Sequence, residues 1–83
     1  MNLKYNFQLA PLADHWVVVA SNRETGEHVK VFTLNGSAAE MLQLLLSGNE
    51  PGDVAADIAR RYEASLDVVT RDVQAFVQRL QNL

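Results

Sequence analysis

The first third of the chain contains alternating or short apolar runs, and both patterns predict β-strands. One alternating segment begins at Tyr5, and Pro11 is expected to end it because proline cannot donate to a strand ladder. The run His15–Ala20 is rich in β-branched and aromatic residues and apolar on both sides, as is typical of a central strand covered on both faces. A polar connector with Gly26, which can supply the positive φ of a hairpin turn, precedes a third run. The predicted strands cover about residues 5–10, 15–20 and 28–34.

From residue 36 onward, apolar residues recur every three or four positions, which predicts helices. Asn35 or Ser37 can cap the first helix, and Pro51 suits the first turn of the second. Ser65 can cap the third helix, whose continuous buried seam is predicted to consist of Leu66, Val69, Val73, Phe76 and Leu80. The predicted helices cover about residues 36–47, 51–64 and 66–81. The order βββααα predicts an α+β fold, a three-stranded antiparallel sheet with three helices on one face, in a single domain over residues 1–83.

The third strand, residues 28–34, is the last strand before the helical half of the chain. This position places it at an edge of the sheet, with one side of its backbone free to pair with another chain. Seven residues separate Gly26 from Leu34, and this length leaves two registers open. A shift by one residue exchanges which set faces the helices. The two sets are Val29, Val31 and Thr33, or Lys30, Phe32 and Leu34.

Size and composition restrict the classes of function. The chain has 83 residues, of which 48% are hydrophobic, and this fits one small domain without a deep cleft between lobes. The absence of cysteine excludes disulfides, thiolate zinc sites and a cysteine nucleophile. No apolar run approaches the roughly 20 residues of a membrane span, and the N-terminus has no secretory signal pattern. We therefore expect a cytoplasmic protein without a membrane partner.

The charge distribution argues against nucleic-acid binding. The net charge is −3, and residues 35–83 carry four basic and seven acidic side chains. A nucleic-acid surface needs clustered lysine and arginine to displace phosphate counterions, and only Arg60 and Arg61 are adjacent. The expected partners therefore do not include nucleic acid.

Candidate catalytic or metal-binding side chains do not form a recognisable set. His15 and His28 lie at opposite ends of the second hairpin, and no third metal ligand is specified by spacing. Asp53 and Asp57 are explained by the helix dipole and by the pairing of Asp57 with Arg61 four residues later. Glycine-rich phosphate loops are absent. We predict that the chain has no catalytic residues, no metal site and no cofactor.

Several segments, in order, resemble the PqqD-like family of peptide chaperones, also called RiPP recognition elements, of ribosomal peptide natural-product biosynthesis. The resemblance runs from about residue 7 to the C-terminus. Two departures are Ser37-Ala38, where many members have Thr-Gly, and the lack of a tryptophan near Leu42. The matching segments are Phe7-x-Leu9, His15-Trp16-Val17-Val18-Val19, Thr33-Leu34-Asn35-Gly36-Ser37-Ala38, Met41-Leu42-x-Leu44-Leu45, and Tyr62 with Val69-x-x-Asp72-Val73-x-Ala75-Phe76-Val77.

The resemblance implies a winged-helix-like domain that binds the leader segment of a precursor peptide without catalysing a reaction. The leader would add as a fourth strand along strand three, with side chains in the groove between that strand and helix three. A separate maturase, such as a radical S-adenosylmethionine enzyme, would then modify the presented precursor. The residues implied for backbone pairing are Val29, Lys30, Val31, Phe32 and Thr33, and those implied for the groove wall are Val68, Arg71, Ala75 and Arg79.

Two alternatives remain at this point. Three strands and three helices also occur in winged-helix DNA-binding proteins, although Asp67 and Asp72 interrupt the basic residues of helix three. In the second alternative, strand three pairs with its own copy and the chain forms a structural homodimer. Such a dimer is compatible with peptide binding if the leader displaces the partner.

Overall fold

The computed structural model describes residues 2–83 and contains an antiparallel sheet followed by three helices. Met1, which the predicted domain includes, lies outside the described residues. The order βββααα confirms the predicted α+β class. The strands are β1 (Tyr5–Leu12), β2 (His15–Asn22) and β3 (His28–Leu34), and the helices are α1 (Gly36–Leu46), α2 (Pro51–Tyr62) and α3 (Leu66–Gln81).

The sheet has the order β1-β2-β3, so β1 and β3 are both edge strands. The expectation that Pro11 ends β1 is wrong. Pro11 lies within the ladder opposite Trp16, and β1 continues to Leu12. An edge strand accommodates proline because a residue whose N–H would point away from the neighbouring strand loses no ladder bond.

The register of β3 is fixed by an irregularity in its pairing with β2. Ala20 lies opposite Lys30, but the next residue, Ser21, lies opposite His28, so Val29 is an extra residue on the β3 side. Such a bulge shifts the facing of the residues on either side of it. Of the two registers left open by the sequence, the one with Lys30, Phe32 and Leu34 on the helix side is present. Phe32 and Leu34 pack against the core.

The helices cover only one face of the sheet, so the expectation that β2 is covered on both faces is wrong. Val18 and Ala20 are completely buried on the helix side, whereas Val17 and Val19 on the other face are only half-buried. The apolar character of β2 on both sides therefore does not imply a second covering layer within residues 2–83.

Helix ends follow from local hydrogen bonding and backbone conformation. The Asn35 side chain accepts a hydrogen bond from the N–H of Ala38 at 3.0 Å and caps α1. Gly48, after α1, has a φ of 96°, a conformation that favours glycine. Glu63 adopts the left-handed conformation, and α2 therefore ends at Tyr62, two residues earlier than expected.

One hydrophobic core lies between the sheet and the helices. Each fully buried large apolar side chain contributes about 1.5–3 kcal/mol relative to an exposed one. Leu66, expected in the buried seam of α3, is 53% exposed at the start of the helix. The buried cluster consists of Leu3, Phe7, Val18, Ala20, Leu42, Leu45, Val54, Ala55, Ile58, Ala59, Val69, Val73, Phe76 and Leu80.

Polar contacts on the surface join α1 to α2. The Tyr62 hydroxyl donates a hydrogen bond to Glu40 Oε1 at 2.9 Å, which raises the pKa of Tyr62 above its ordinary value. Within α2, Arg61 Nη2 donates to Asp57 Oδ2 at 2.9 Å, which raises the pKa of the guanidinium, and Arg61 Nη1 donates to Glu40 Oε2 of α1 at 3.5 Å. These groups are solvent-accessible, so each contact contributes little to stability.

The end of α3 is attached to the start of β1. The Tyr5 hydroxyl donates to the carbonyl of Leu83 at 2.7 Å, and the N–H of Lys4 donates to Gln81 Oε1 at 3.0 Å. Leu83 also borders Lys30 at the other edge of the sheet. The C-terminal residues therefore cross beneath the sheet from β1 to β3. Within residues 2–83, no helix has the length and apolar character needed to span a membrane.

Candidate functional site

The outer edge of β3 pairs with no other strand in the described part of the chain. β3 has seven residues, and none of them is proline, so every residue has an N–H. In an antiparallel sheet, alternate residues of an edge strand direct their N–H and C=O groups away from the neighbouring strand. The edge of β3 can therefore accept an added strand through backbone hydrogen bonds.

A cleft lies directly beside this edge, between β3 and α3, and is called here the β3/α3 cleft. Its central recess has a volume of about 230 Å³. Two adjoining recesses extend it, one of about 470 Å³ towards Asn82 and one of about 260 Å³ towards Asn35. The central recess is lined by Lys30, Phe32, Thr33, Leu34, Phe76, Arg79, Leu80 and Leu83.

The floor of the β3/α3 cleft is apolar and rigidly supported. Phe76 and Leu80 are 4% and 2% exposed, and both belong to the core cluster. Phe32 and Leu34 are half-buried and pack against that cluster from β3. An incoming apolar side chain can therefore bury surface against groups that are already held in place.

The charges around the cleft are unevenly distributed. Lys30 and Arg79 border the central recess, and the Arg79 guanidinium carbon lies 5.9 Å from the centre of the Phe76 ring, within range of a cation–π interaction. Asp72 borders the recess at the other end of the cleft, near Asn35 and Ser37. The cleft therefore has a basic part and an end with an acidic side chain.

The structure brings together part of the predicted peptide-binding set. Lys30, Phe32 and Thr33 from β3 and Ala75 and Arg79 from α3 border the cleft or its adjoining recesses.

The remaining predicted residues do not border the cleft. Val29 and Val31 belong to the β3 edge, where their predicted role is backbone pairing; Val31 is 59% exposed and pairs with Val19 on the open face of the sheet, and Val29 lies at the bulge. Val68 and Arg71 are exposed on the first half of α3 and border none of these three recesses.

Sequence reasoning missed the residues that form the floor of the cleft. The apolar spacing of α3 predicts only that Phe76 and Leu80 are buried, although both also border the β3/α3 cleft. The sequence pattern predicts Leu34 only as the last residue of the third strand. The alternation of Lys30, Phe32 and Leu34 could have identified the cleft side of β3 if the bulge had been recognised.

Other chemistry-bearing side chains lie apart from the cleft. His15 Nδ1 contacts its neighbour Asp14 at 2.7 Å, and His28 lies opposite Ser21 near the other end of β2. The two imidazoles therefore do not meet. In residues 2–83, no group of three or more histidine, aspartate or glutamate side chains is placed to hold a metal ion.

Most of the chain matches a known protein family. Residues 16–83 match the family described as coenzyme PQQ synthesis protein D (PqqD). This chain belongs to the PqqD family. The match covers β2 from its second residue, β3 and all three helices, and thus every element that contributes to the β3/α3 cleft. A search of curated proteins found no match.

Two solved structures resemble this PqqD-family chain over nearly its whole length. One is TbiB1 in complex with the TbiA(beta) leader peptide, with a TM-score of 0.73 and 26% sequence identity over 99% of this chain and 90% of that one. The other is lasso peptide synthetase B1 complexed with the leader peptide, with a TM-score of 0.72 and 26% identity over 95% and 92%. The family match and these similarities confirm the resemblance to peptide chaperones inferred from the sequence.

Proposed function

We propose that this chain binds the leader segment of a ribosomally made precursor peptide. The leader adds as a fourth strand to the free edge of β3, and its side chains on one face enter the β3/α3 cleft. Backbone hydrogen bonds provide affinity, and the few side-chain contacts in the cleft provide specificity.

The observation that carries this proposal is the combination of an unpaired strand edge with an apolar cleft beside it. The two similar structures both contain leader peptides, and their proteins share this fold over at least 95% of the present chain. This combination favours peptide binding over winged-helix DNA binding, which the exposed Asp67 and Asp72 of α3 also disfavour.

A second protein is needed to modify the bound precursor. The chain acts as an adaptor without catalysis of its own, and the presented precursor is modified by a biosynthetic enzyme in the cytoplasm. A radical S-adenosylmethionine enzyme is our specific candidate, and the proposal of peptide binding does not depend on it.

Nuclear magnetic resonance of the isotopically labelled chain tests the proposal. The ligand is a synthetic peptide with the leader sequence of the precursor encoded beside the gene. We expect chemical-shift changes in the amides of residues 28–34 and in the α3 residues around Ala75 and Arg79. Amides of β1 serve as an internal control. Shifts confined to β1, or no binding at millimolar peptide, would falsify the proposed site.

Self-association through β3 is the competing use of the same edge. We propose that any homodimer formed through β3 dissociates when the leader binds, because both interactions need the same backbone groups. Sedimentation measured with and without the leader peptide checks this. A dimer that persists when the leader is bound shows that the dimer interface lies elsewhere.

A further inference from the structure

The cations at the β3/α3 cleft differ from those of α2 in their partners. Arg61 contacts Asp57 and Glu40, and Arg60 also pairs with Asp57. In contrast, neither Lys30 nor Arg79 forms an ion pair with a carboxylate in the structure of residues 2–83. Both side chains are exposed beside an apolar recess. This part of the cleft thus presents two positive charges that form no ion pair within the described residues.

The spacing of side chains on β3 relates these charges to the apolar floor. Lys30, Phe32 and Leu34 lie on the same side of the strand, and residues two apart in a strand are separated by about 6.6–6.8 Å. An added strand has the same periodicity, so its side chains on the cleft side are also two residues apart. One such side chain over Phe32 therefore has its neighbour near Lys30 and Arg79.

The other end of the cleft is less favourable for an anion. Asp72 borders the recess that is also lined by Asn35 and Arg79, and Asp72 forms no ion pair in the described structure. A carboxylate on the added strand is attracted most at the Lys30 end, where Lys30 and Arg79 both border the cleft, and less at the Asp72 end, where Asp72 offsets the charge of Arg79. The charge pattern can therefore select one register and one orientation of the peptide.

We infer that the segment bound in the β3/α3 cleft carries an acidic residue two positions from an apolar one. The acidic side chain lies between Lys30 and Arg79, and the apolar side chain lies over Phe32, Phe76 and Leu80. This inference rests on the proposed function, and it adds the chemistry by which one peptide segment is distinguished from another.

The probes are overlapping synthetic peptides that together cover the leader encoded beside the gene. Each peptide is also made with single Glu→Gln or Asp→Asn replacements. Fluorescence anisotropy measures their dissociation constants. For the binding segment, we expect one replacement to weaken binding about three- to tenfold, with the largest effect at low ionic strength. All other amide replacements are expected to change affinity less than about twofold.

A charge reversal locates the contact on the protein. Lys30→Glu and Arg79→Glu are expected to weaken binding of the native peptide, and a peptide with lysine at the sensitive position is expected to regain affinity for these variants. Arg60→Glu, on α2, is the matched control because it makes the same change in net charge away from the cleft. Circular dichroism verifies that each variant is folded, and Lys30→Gln and Arg79→Gln provide milder substitutions.

The outcomes separate the inference from the proposed function. Binding at β3 that is indifferent to every carboxylate replacement, or equally weakened by Arg60→Glu, overturns the inference and leaves the proposed function standing. Absence of binding at β3 by every peptide overturns both. Recovery of affinity by the lysine peptide with Lys30→Glu or Arg79→Glu, and not with Arg60→Glu, supports the inference.

Discussion

The two edges of the sheet differ in how accessible their backbones are. β1 includes Pro11, which has no N–H. The segment before β1 is held by Arg23, whose Nη1 donates a hydrogen bond to the carbonyl of Leu3 at 2.7 Å. β3 contains no proline, its one charged side chain, Lys30, lies on the helix side, and Val31 is exposed on the open face. Proline on an edge strand discourages pairing with other chains because it has no N–H to donate. The comparison therefore indicates that β3 is the edge left open for a partner.

Cavity size alone does not distinguish the two edges. The recess beside β1 has a volume of about 460 Å³, close to the 470 Å³ of the largest recess of the β3/α3 cleft. Polar side chains such as Asn6, Gln8 and Arg23 contribute to its lining. The β3/α3 cleft differs from it by combining an apolar floor with available backbone groups. A strand-binding site is therefore better identified by its unpaired backbone than by its volume.

The largest expected difference between the two edges is in protein stability. Phe7 on β1 and Phe32 on β3 both face the helices, but Phe7 is 8% exposed and makes an edge-to-face contact with Tyr5, whereas Phe32 is only half-buried. We expect Phe7→Ala to lower the free energy of unfolding by about 3–5 kcal/mol and Phe32→Ala by about 1–2 kcal/mol. Urea denaturation measures both values.

The same two substitutions should affect leader affinity in the opposite order. At a temperature where both variants are folded, Phe32→Ala is expected to weaken leader binding by about tenfold, because it removes part of the cleft floor. Phe7→Ala should leave affinity nearly unchanged, since Phe7 lies beside the other edge. Equal losses of affinity in the two variants would contradict the assignment of binding to β3.

The next expected difference is in hydrogen exchange. Backbone amides on the outer edge of β3 should exchange at least about tenfold more slowly when the leader is bound, because each gains a hydrogen bond. Protection should alternate along residues 28–34, as strand addition requires. Amides of β1 should show no such pattern. Hydrogen exchange followed by mass spectrometry or NMR checks this. Uniform protection of both edges would indicate general stabilisation of the fold rather than strand addition.

The sequence predicted the architecture well because each element has a strong local signal. Alternation in the strands, the Asn35 cap and the three- and four-residue spacing in α3 all depend on neighbouring residues. The facing of Lys30 and Phe32 could not be decided in this way, because it depends on the bulge at Val29, which forms only when β3 pairs with β2. The cleft floor was missed for a related reason. Phe76 serves the core and the cleft together, and periodicity alone assigns it to the core.

The smallest expected effect is found at the α1–α2 contact, which lies apart from both edges. The hydrogen bond to Glu40 raises the pKa of Tyr62 above its ordinary value of 10.0. The folded state therefore favours the protonated phenol. Its stabilising contribution is complete below pH 10 and is lost as the pH rises through the higher pKa of the folded state.

Tyr62→Phe should remove this pH dependence. We expect the variant to be slightly less stable than the unsubstituted chain at neutral pH, and the difference should shrink as the pH rises above 10, as measured by urea denaturation across that range. Leader binding at neutral pH should be the same in both proteins, because Tyr62 is 51% exposed on α2 and borders neither edge strand's recess. A change in the leader affinity of Tyr62→Phe would show that α2 is coupled to the β3 edge. Peptide binding at that edge would then depend on the contact between α1 and α2.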